Sequence, residues 1–247
     1  VAFVYHGTPM TPKAAFEAVM PGRGVCISYG TPSDDQRALE NCPFRMYDNG
    51  EFKAWNKAKK AGLEWDEAPR DHTKLYAWYE QRIFQPGCWG VIPDRPGAPT
   101  QFNDGLLNDW PFGRSVGAPL WHMNGSIDRL LKLCDRFDRV CLGWIGGFDE
   151  VAKCIKPEEI DVGCPAYRAK MDEVCKAMGN QWPAIHMMRG ILVGGDYPFL
   201  SVDATSLAQN GHRHDWRDKQ ACMLDGYGPG KWNGRKWYAD NLEGMAA

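Results

Sequence analysis

The sequence has no Cys-x-x-Cys pair, no uninterrupted apolar run of membrane-spanning length, no basic-then-apolar leader, no internal repeat and no low-complexity segment. Without a span or a leader, the chain reads as soluble and unsecreted. Its nine cysteines, at 26, 42, 88, 134, 141, 154, 164, 175 and 222, are single and odd in number. That spacing argues against a disulfide framework and for reduced thiols in a cytoplasm. Strong net charge is lacking too. The 29 Lys and Arg against 31 Asp and Glu leave −2, which excludes a globally basic nucleic-acid binder but not a local basic surface.

What remains is an ordinary globular composition, 44% hydrophobic and 24% charged over 247 residues, sufficient for one large core. Eight short apolar runs recur along it: Ala2–Tyr5, Gly24–Ser28, Phe44–Tyr47, Trp89–Pro93, Ala118–His122, Arg139–Leu142, Ala184–Met188 and Phe199–Val202. Between them, helical patterning is predicted over Thr11–Met20, Asp34–Leu39, Thr73–Phe84, Gln101–Asp109, Ser126–Phe137 and Ala166–Met178. In SIDRLLKLCDRF, Ser126 is placed to cap the first turn, and Ile127, Leu130, Leu131 and Cys134 form one apolar stripe. Eight strands alternating with helices predict an α/β fold, a single-domain (β/α)8 TIM barrel over residues 1–210. Residues 211–247 are expected to add a basic and aromatic C-terminal extension.

In such a barrel the active site gathers at the C-terminal strand ends. Here the runs end in His6-Gly7, Ser28-Tyr29-Gly30, Asp48-Asn49-Gly50, Pro93-Asp94, His122-Met123-Asn124, Gly146-Gly147, Met188-Arg189-Gly190 and Asp203-Ala204-Thr205. Two carboxylates stand out, Asp48 and Asp203. A pair of acids suits chemistry at a sugar anomeric carbon, one as nucleophile or stabiliser of an oxocarbenium-like centre, the other handling a proton. Each alone also fits a cap or a turn, and Asn49-Gly50 alone also signals a tight hairpin. Gly146-Gly147 fits either a tight βα turn or a backbone edge that reads a planar base.

Four stretches together resemble the tRNA-guanine transglycosylase superfamily, barrel enzymes that cut a nucleobase–ribose bond and exchange the base. Asp48-Asn49-Gly50-Glu51-Phe52 is similar to that family's Asp-Ser-Gly-Gly-Phe, Leu142 to Gly147 to its glycine-rich base-recognition stretch, and Ala184 to Gly190 to its Tyr-Leu-Met-Gly-Val-Gly strand. Ser201-Val202-Asp203-Ala204-Thr205 falls where the family carries its nucleophilic Asp. The likeness spans roughly Phe44 to Ser206. His122 stands where the family uses a base-binding Gln, and the tail offers Cys222 without the Cys-x-Cys-x-x-Cys and His of the family's zinc site.

The resemblance implies Asp203 as the catalytic carboxylate at C1′ and Asp48 as the acid that binds the base or exchanges protons with it. Gly146, Gly147, His122 and Asp94 would read the base edge, with Tyr29, Trp144 or Met187 over its face. No cofactor and no metal are expected, since His212-Arg213-His214-Asp215 offers only part of a coordination shell. The missing zinc subdomain points away from tRNA and towards DNA, as a glycosylase on a flipped or single-stranded, modified base, in defence against phage. Base exchange with a deazaguanine, a non-catalytic reader of modified bases, and a hydrolase of free nucleosides are the alternatives. Residues 211–237 carry six Lys or Arg with Trp216, Trp232 and Trp237 interleaved. The expected backbone contacts are therefore Arg213, Arg217, Lys231, Arg235 and Lys236, joined by Lys53, Lys57 and Arg189.

Overall fold

The structure is a computed structural model and describes residues 1–149, 154–156, 159–217, 225–228 and 230–247. In chain order the elements are β1 (Phe3–Gly7), α1 (Lys13–Val19), β2 (Gly24–Ser28), α2 (Asp35–Asn41), β3 (Phe44–Asp48), α3 (Glu51–Lys60), α4 (Thr73–Glu80), β4 (Cys88–Val91), α5 (Thr100–Asn108), β5 (Gly117–Ala118) and β6 (Leu120–His122). There follow α6 (Ile127–Arg136), β7 (Arg139–Gly143), β8 (Gly147–Asp149), β9 (Cys154–Lys156), α7 (Pro165–Met178), β10 (Ala184–Met187), β11 (Ser201–Ala204), α8 (Ser206–Asn210), a 3-10 turn at Gly211–Arg213, α9 (His214–Arg217) and α10 (Asn233–Met245). No described helix is long and apolar enough to cross a membrane.

Strand order in the main sheet is β5-β4-β3-β2-β1-β11-β10-β7-β6. Its first and last members are two halves of one stretch, parted at Pro119, which has no N–H to donate to a ladder. Gly117 and Ala118 pair in parallel with Gly90 and Val91, whereas Leu120, Trp121 and His122 pair with Cys141, Leu142 and Gly143. Only the carbonyl of Pro119 takes part, accepting from Cys141 N at 2.9 Å. With the halves counted as one strand, the topology is that of a (β/α)8 barrel. The single strand expected over Ala118–His122 is thus two short ones. Gly147 does not close a βα turn but opens an antiparallel ribbon, pairing with Lys156.

Two compact units make up the chain, Val1–Met46 with Arg189–Ala247, and Tyr47–Met188. Within the first, β1 lies parallel between β2 and β11, with Tyr5 opposite Asp203 and His6 opposite Ala204. The C-terminal segment belongs to this unit: Ala2 N donates to Ala246 O at 2.9 Å, and Arg23 of the α1–β2 turn pairs with Glu243 at 2.6 Å and with Asp240. Phe199, expected in the last strand, packs instead on Tyr197 in the preceding turn, so β11 begins at Ser201 and Asp203 lies inside it.

In the second unit, β7 pairs with β10 on one side and β6 on the other, and its Val140, Cys141 and Leu142 are fully buried. Each aliphatic side chain so buried contributes about 1.5–3 kcal/mol. Ser126 Oγ accepts from Arg129 N at 3.3 Å and caps α6 as its sequence implies. The helix turns Leu130 and Leu133 inward, a stripe rotated slightly from the one expected. Glu51–Lys60, expected as an exposed basic connection, is a helix that buries Trp55 and Ala58.

Candidate functional site

In the first unit the strand end of interest is that of β11. Asp203 is 6% exposed, and its Oδ1 accepts from Arg189 N at 2.7 Å. Arg189 holds φ +56°, a left-handed conformation uncommon for a residue with a Cβ, and this aims its amide at the carboxylate. Register puts Ser201 and Asp203 on one sheet face with Phe3 and Tyr5, while Phe3 also meets Phe44 at 5.0 Å. Gly7 is required beside this strand end, because a Cβ there would stand 2.8 Å from Thr205 Cγ2. The neighbouring His6 takes the opposite face: its Nε2 lies 2.9 Å from Glu243 Oε1, and its Nδ1 is buried without a partner among the described residues. Tyr29 is half-buried in the turn after β2.

In the second unit the sequence Asp48-Asn49-Gly50-Glu51 assigns each residue a separate task. Asp48 shares the face of Phe44 and Met46 by strand alternation, and its Oδ2 accepts from Gly50 N at 3.1 Å. Gly50 adopts φ +80°, so the chain turns into α3 rather than back as a hairpin. Asn49 Nδ2 donates to Ile92 O at 3.0 Å and to Asp94 Oδ1 at 2.8 Å, while its Oδ1 accepts from Glu51 N. Asp94 Oδ2 in turn lies 2.7 Å from His122 Nε2. The structure therefore brings together Asp94 and His122, both expected at the site, and adds Asn49, which the sequence reading passed over as turn chemistry.

Glu51 is buried and meets Arg95 Nη1 at 2.6 Å, with Arg70 at 3.6 Å. Burial pushes its carboxyl above the usual range, against the pull of those two guanidinium groups. Arg95 is anchored further by Asn103, whose Oδ1 accepts from Arg95 N at 2.7 Å. His72, 4.0 Å from Glu51, is held below its usual value, first by burial and then by the charges of Arg95 and Arg70. No local sequence signal marks the Glu51–Arg95 pair, because its members are far apart in the chain and only the fold joins them.

Beside this network lies a pocket of about 380 Å³, lined among others by His122, Asn103, Thr100, Arg129, Asn124 and Trp65. It falls within the size range of small-ligand sites. His122 presents itself to the pocket at 7% exposure.

Other expected contacts fall elsewhere. Trp144 is buried, donating from Nε1 to Glu159 O at 2.8 Å and standing edge-on to Tyr167, and Met187 is fully buried one residue past His186. Neither offers a ring or thioether face to a ligand, which corrects their expected place over a base. Gly146 is buried at φ +110°. Among the cations, Lys53, Lys57, Arg189, Arg213 and Lys231 are exposed and Lys236 is half-buried. Arg235 is not at the surface at all. It is 0% exposed, pairs through Nε and Nη2 with both oxygens of Asp215 at 2.9 and 2.8 Å, and donates from Nη1 to Thr11 O. The expectation that it meets phosphate is overturned, since its charge is engaged inside the fold. The side chain of Arg217 lies outside the described residues, as does Cys222. His214 stacks on Tyr238 at 4.0 Å and Asp215 is held by Arg235, while His212 and Arg213 of the same run are exposed. No family model, characterised protein or solved structure matches the chain.

Proposed function

We propose that the protein hydrolyses the N-glycosidic bond of a nucleobase carried by DNA, with Asp203 as the carboxylate at the anomeric carbon. The observation that carries this reading is Asp203 itself, nearly buried at a C-terminal strand end yet held by the Arg189 amide. An oxygen so oriented suits attack on, or stabilisation of, a developing positive centre at C1′. As the C1′–N bond breaks, its electron pair leaves with the base, which takes up a proton, and water completes the sugar. Asp48 is assigned to that proton, and the Asn49–Asp94–His122 chain to recognition of the base edge. Hydrogen bonds from a group already fixed by a second carboxylate discriminate well, because a wrong base would leave them unmade.

The exposed Lys53, Lys57, Arg189, Arg213 and Lys231 support a polymer substrate, since each can neutralise a phosphate. A base inside a duplex must leave the stack first, so flipped or single-stranded DNA is the proposed form. Cys26, Cys42, Cys88 and Cys141 form no disulfide among the described residues, which fits a reducing cytoplasm, where modified phage DNA would be the target.

The test is incubation with a panel of modified and unmodified DNAs, scoring abasic sites and released bases by mass spectrometry. Asp203→Asn should abolish product, and Asp48→Asn should slow it by about 10²–10⁴-fold. Abasic sites that persist in Asp203→Asn refute the assignment. Incorporation of labelled deazaguanine, in place of abasic product, would convert hydrolysis to base exchange.

A further inference from the structure

Thr100 opens α5 from the Gly97-Ala98-Pro99 lead-in, and Ile127 opens α6 from Asn124-Gly125-Ser126; both lead-ins line the 380 Å³ pocket. Helix starts carry unpaired N–H groups and partial positive charge. The amides of Thr100 and Gln101 have no acceptor among the described residues. Arg129, in the first turn of α6, lines the same space. Its Nε donates to Asp104 Oδ1 at 2.9 Å, while its Nη2, equally close to that oxygen, is buried and makes no properly directed hydrogen bond.

His122 supplies the independent observation. Its side chain is 9% exposed and lines the pocket, Nε2 is taken by Asp94 at 2.7 Å, and Nδ1 has no partner among the described residues. That nitrogen is open rather than sealed off, so a ligand in the pocket can reach it, while the buried Nη2 of Arg129 on the same wall is costly to leave without a hydrogen bond. Behind it, Asn49 fixes Asp94, so the ring cannot turn away without breaking its buried hydrogen bond to that carboxylate.

We propose that this pocket binds the phosphate group of a ligand. The two helix starts and the guanidinium of Arg129 supply donors. With Nε2 held by Asp94, His122 offers Nδ1 to the phosphate. Trp65, on the wall of the same pocket, is placed to cover a planar group attached to that phosphate. The ligand is thus a phosphorylated compound, whether a free nucleotide or the backbone of a nucleic acid; here His122 serves the phosphate in place of the base edge, so the site stands apart from the glycosidic reading.

Calorimetric titration of the whole chain with inorganic phosphate, a nucleoside 5′-monophosphate and a short single-stranded oligonucleotide tests it. The expected result is saturable binding of phosphate and tighter binding of the nucleotide. His122→Ala should weaken both by about tenfold or more, the effect of losing a charge-assisted hydrogen bond. Asn124→Asp, on the exposed lead-in to α6, places a negative charge at the pocket without touching the core and should weaken them similarly, so the proposal does not hang on whether His122→Ala folds. Competition between oligonucleotide and nucleotide for this site identifies a polymer as the source of the phosphate, and its absence identifies a free nucleotide. If none of the three ligands binds, or if binding is unchanged in both variants, the proposal is overturned.

Discussion

Arg235 is the sharpest test of the structure, because sequence composition and burial give it opposite roles. Its guanidinium is 1% exposed and grips Asp215, itself 11% exposed, through two hydrogen bonds. Its stem passes under Gly211, and its charge lies 5.3 Å from the centre of Trp232. Arg235→Met keeps much of the stem but strands the Asp215 carboxylate and leaves Thr11 O without its donor. Breaking a buried pair from one side costs about 3–5 kcal/mol, because a desolvated charge is left uncompensated. With a urea dependence of about 3 kcal/mol per M, the unfolding midpoint should fall by roughly 1 M or more at constant slope. The double variant Arg235→Met with Asp215→Ala removes the stranded charge, so its midpoint should recover part of the loss. Unfolding followed by tryptophan fluorescence and far-ultraviolet circular dichroism reads both. A midpoint shift below about 0.3 M in the single variant would refute the buried pairing. If that result came with a salt dependence of DNA affinity shallower by about one unit, Arg235 would be a phosphate contact after all.

Other expectations follow from single residues. Burial alone would raise the Glu243 carboxyl, but hydrogen bonds from His6 and Arg23 and their charges hold it below its usual 4.5. An acid held low in the fold contributes fully above its unfolded value and loses that contribution as pH falls through the folded one, so stability should drop more steeply below about pH 4.5 in the parent chain than in Glu243→Gln. Gly50→Ala should cost about 1–2 kcal/mol, since φ +80° is left-handed and strained for alanine; an unchanged melting curve would show that the turn relaxes. Burial pushes the Cys42 thiol up to about 12, so iodoacetamide at pH 8 should leave Cys42 unmodified in the native chain and label it after denaturation, as peptide mass mapping would reveal.

The barrel was legible in the sequence because its strands are buried on both faces and therefore read as short unbroken apolar runs. Gly24–Ser28 lies as expected, and most other runs differ only at their ends. What misled was chemistry that periodicity does not register. Pro119 splits a continuous apolar run because it lacks a donor, and Phe199 satisfies its burial in a turn rather than a strand. EFKAWNKAKK hid its helix because only Trp55 and Ala58 face inward, leaving little apolar stripe to detect. Strand-end logic placed Asp203, Asp94 and His122 at or just past the ends of their strands, since position along a strand is local information. It could not find Asn49 as the holder of Asp94, nor separate the exposed Lys53 and Lys57 from the buried Arg235, because a side chain's surroundings depend on residues distant in the chain.

The two compact units differ in how the chain supplies them. Tyr47–Met188 is one continuous length, whereas Val1–Met46 needs Arg189–Ala247 to complete its share of strands. During synthesis β1 and β2 leave the ribosome before β11, so β1 must wait for a partner that follows it by almost 200 residues. The middle of the chain can condense while the beginning still lacks its neighbour. Until then, the unpaired edge of β1 and the apolar Phe3 and Tyr5 are open to the wrong strand. A chaperone that shields β1 until β11 has emerged should therefore raise the yield of folded protein more than one acting after both are made.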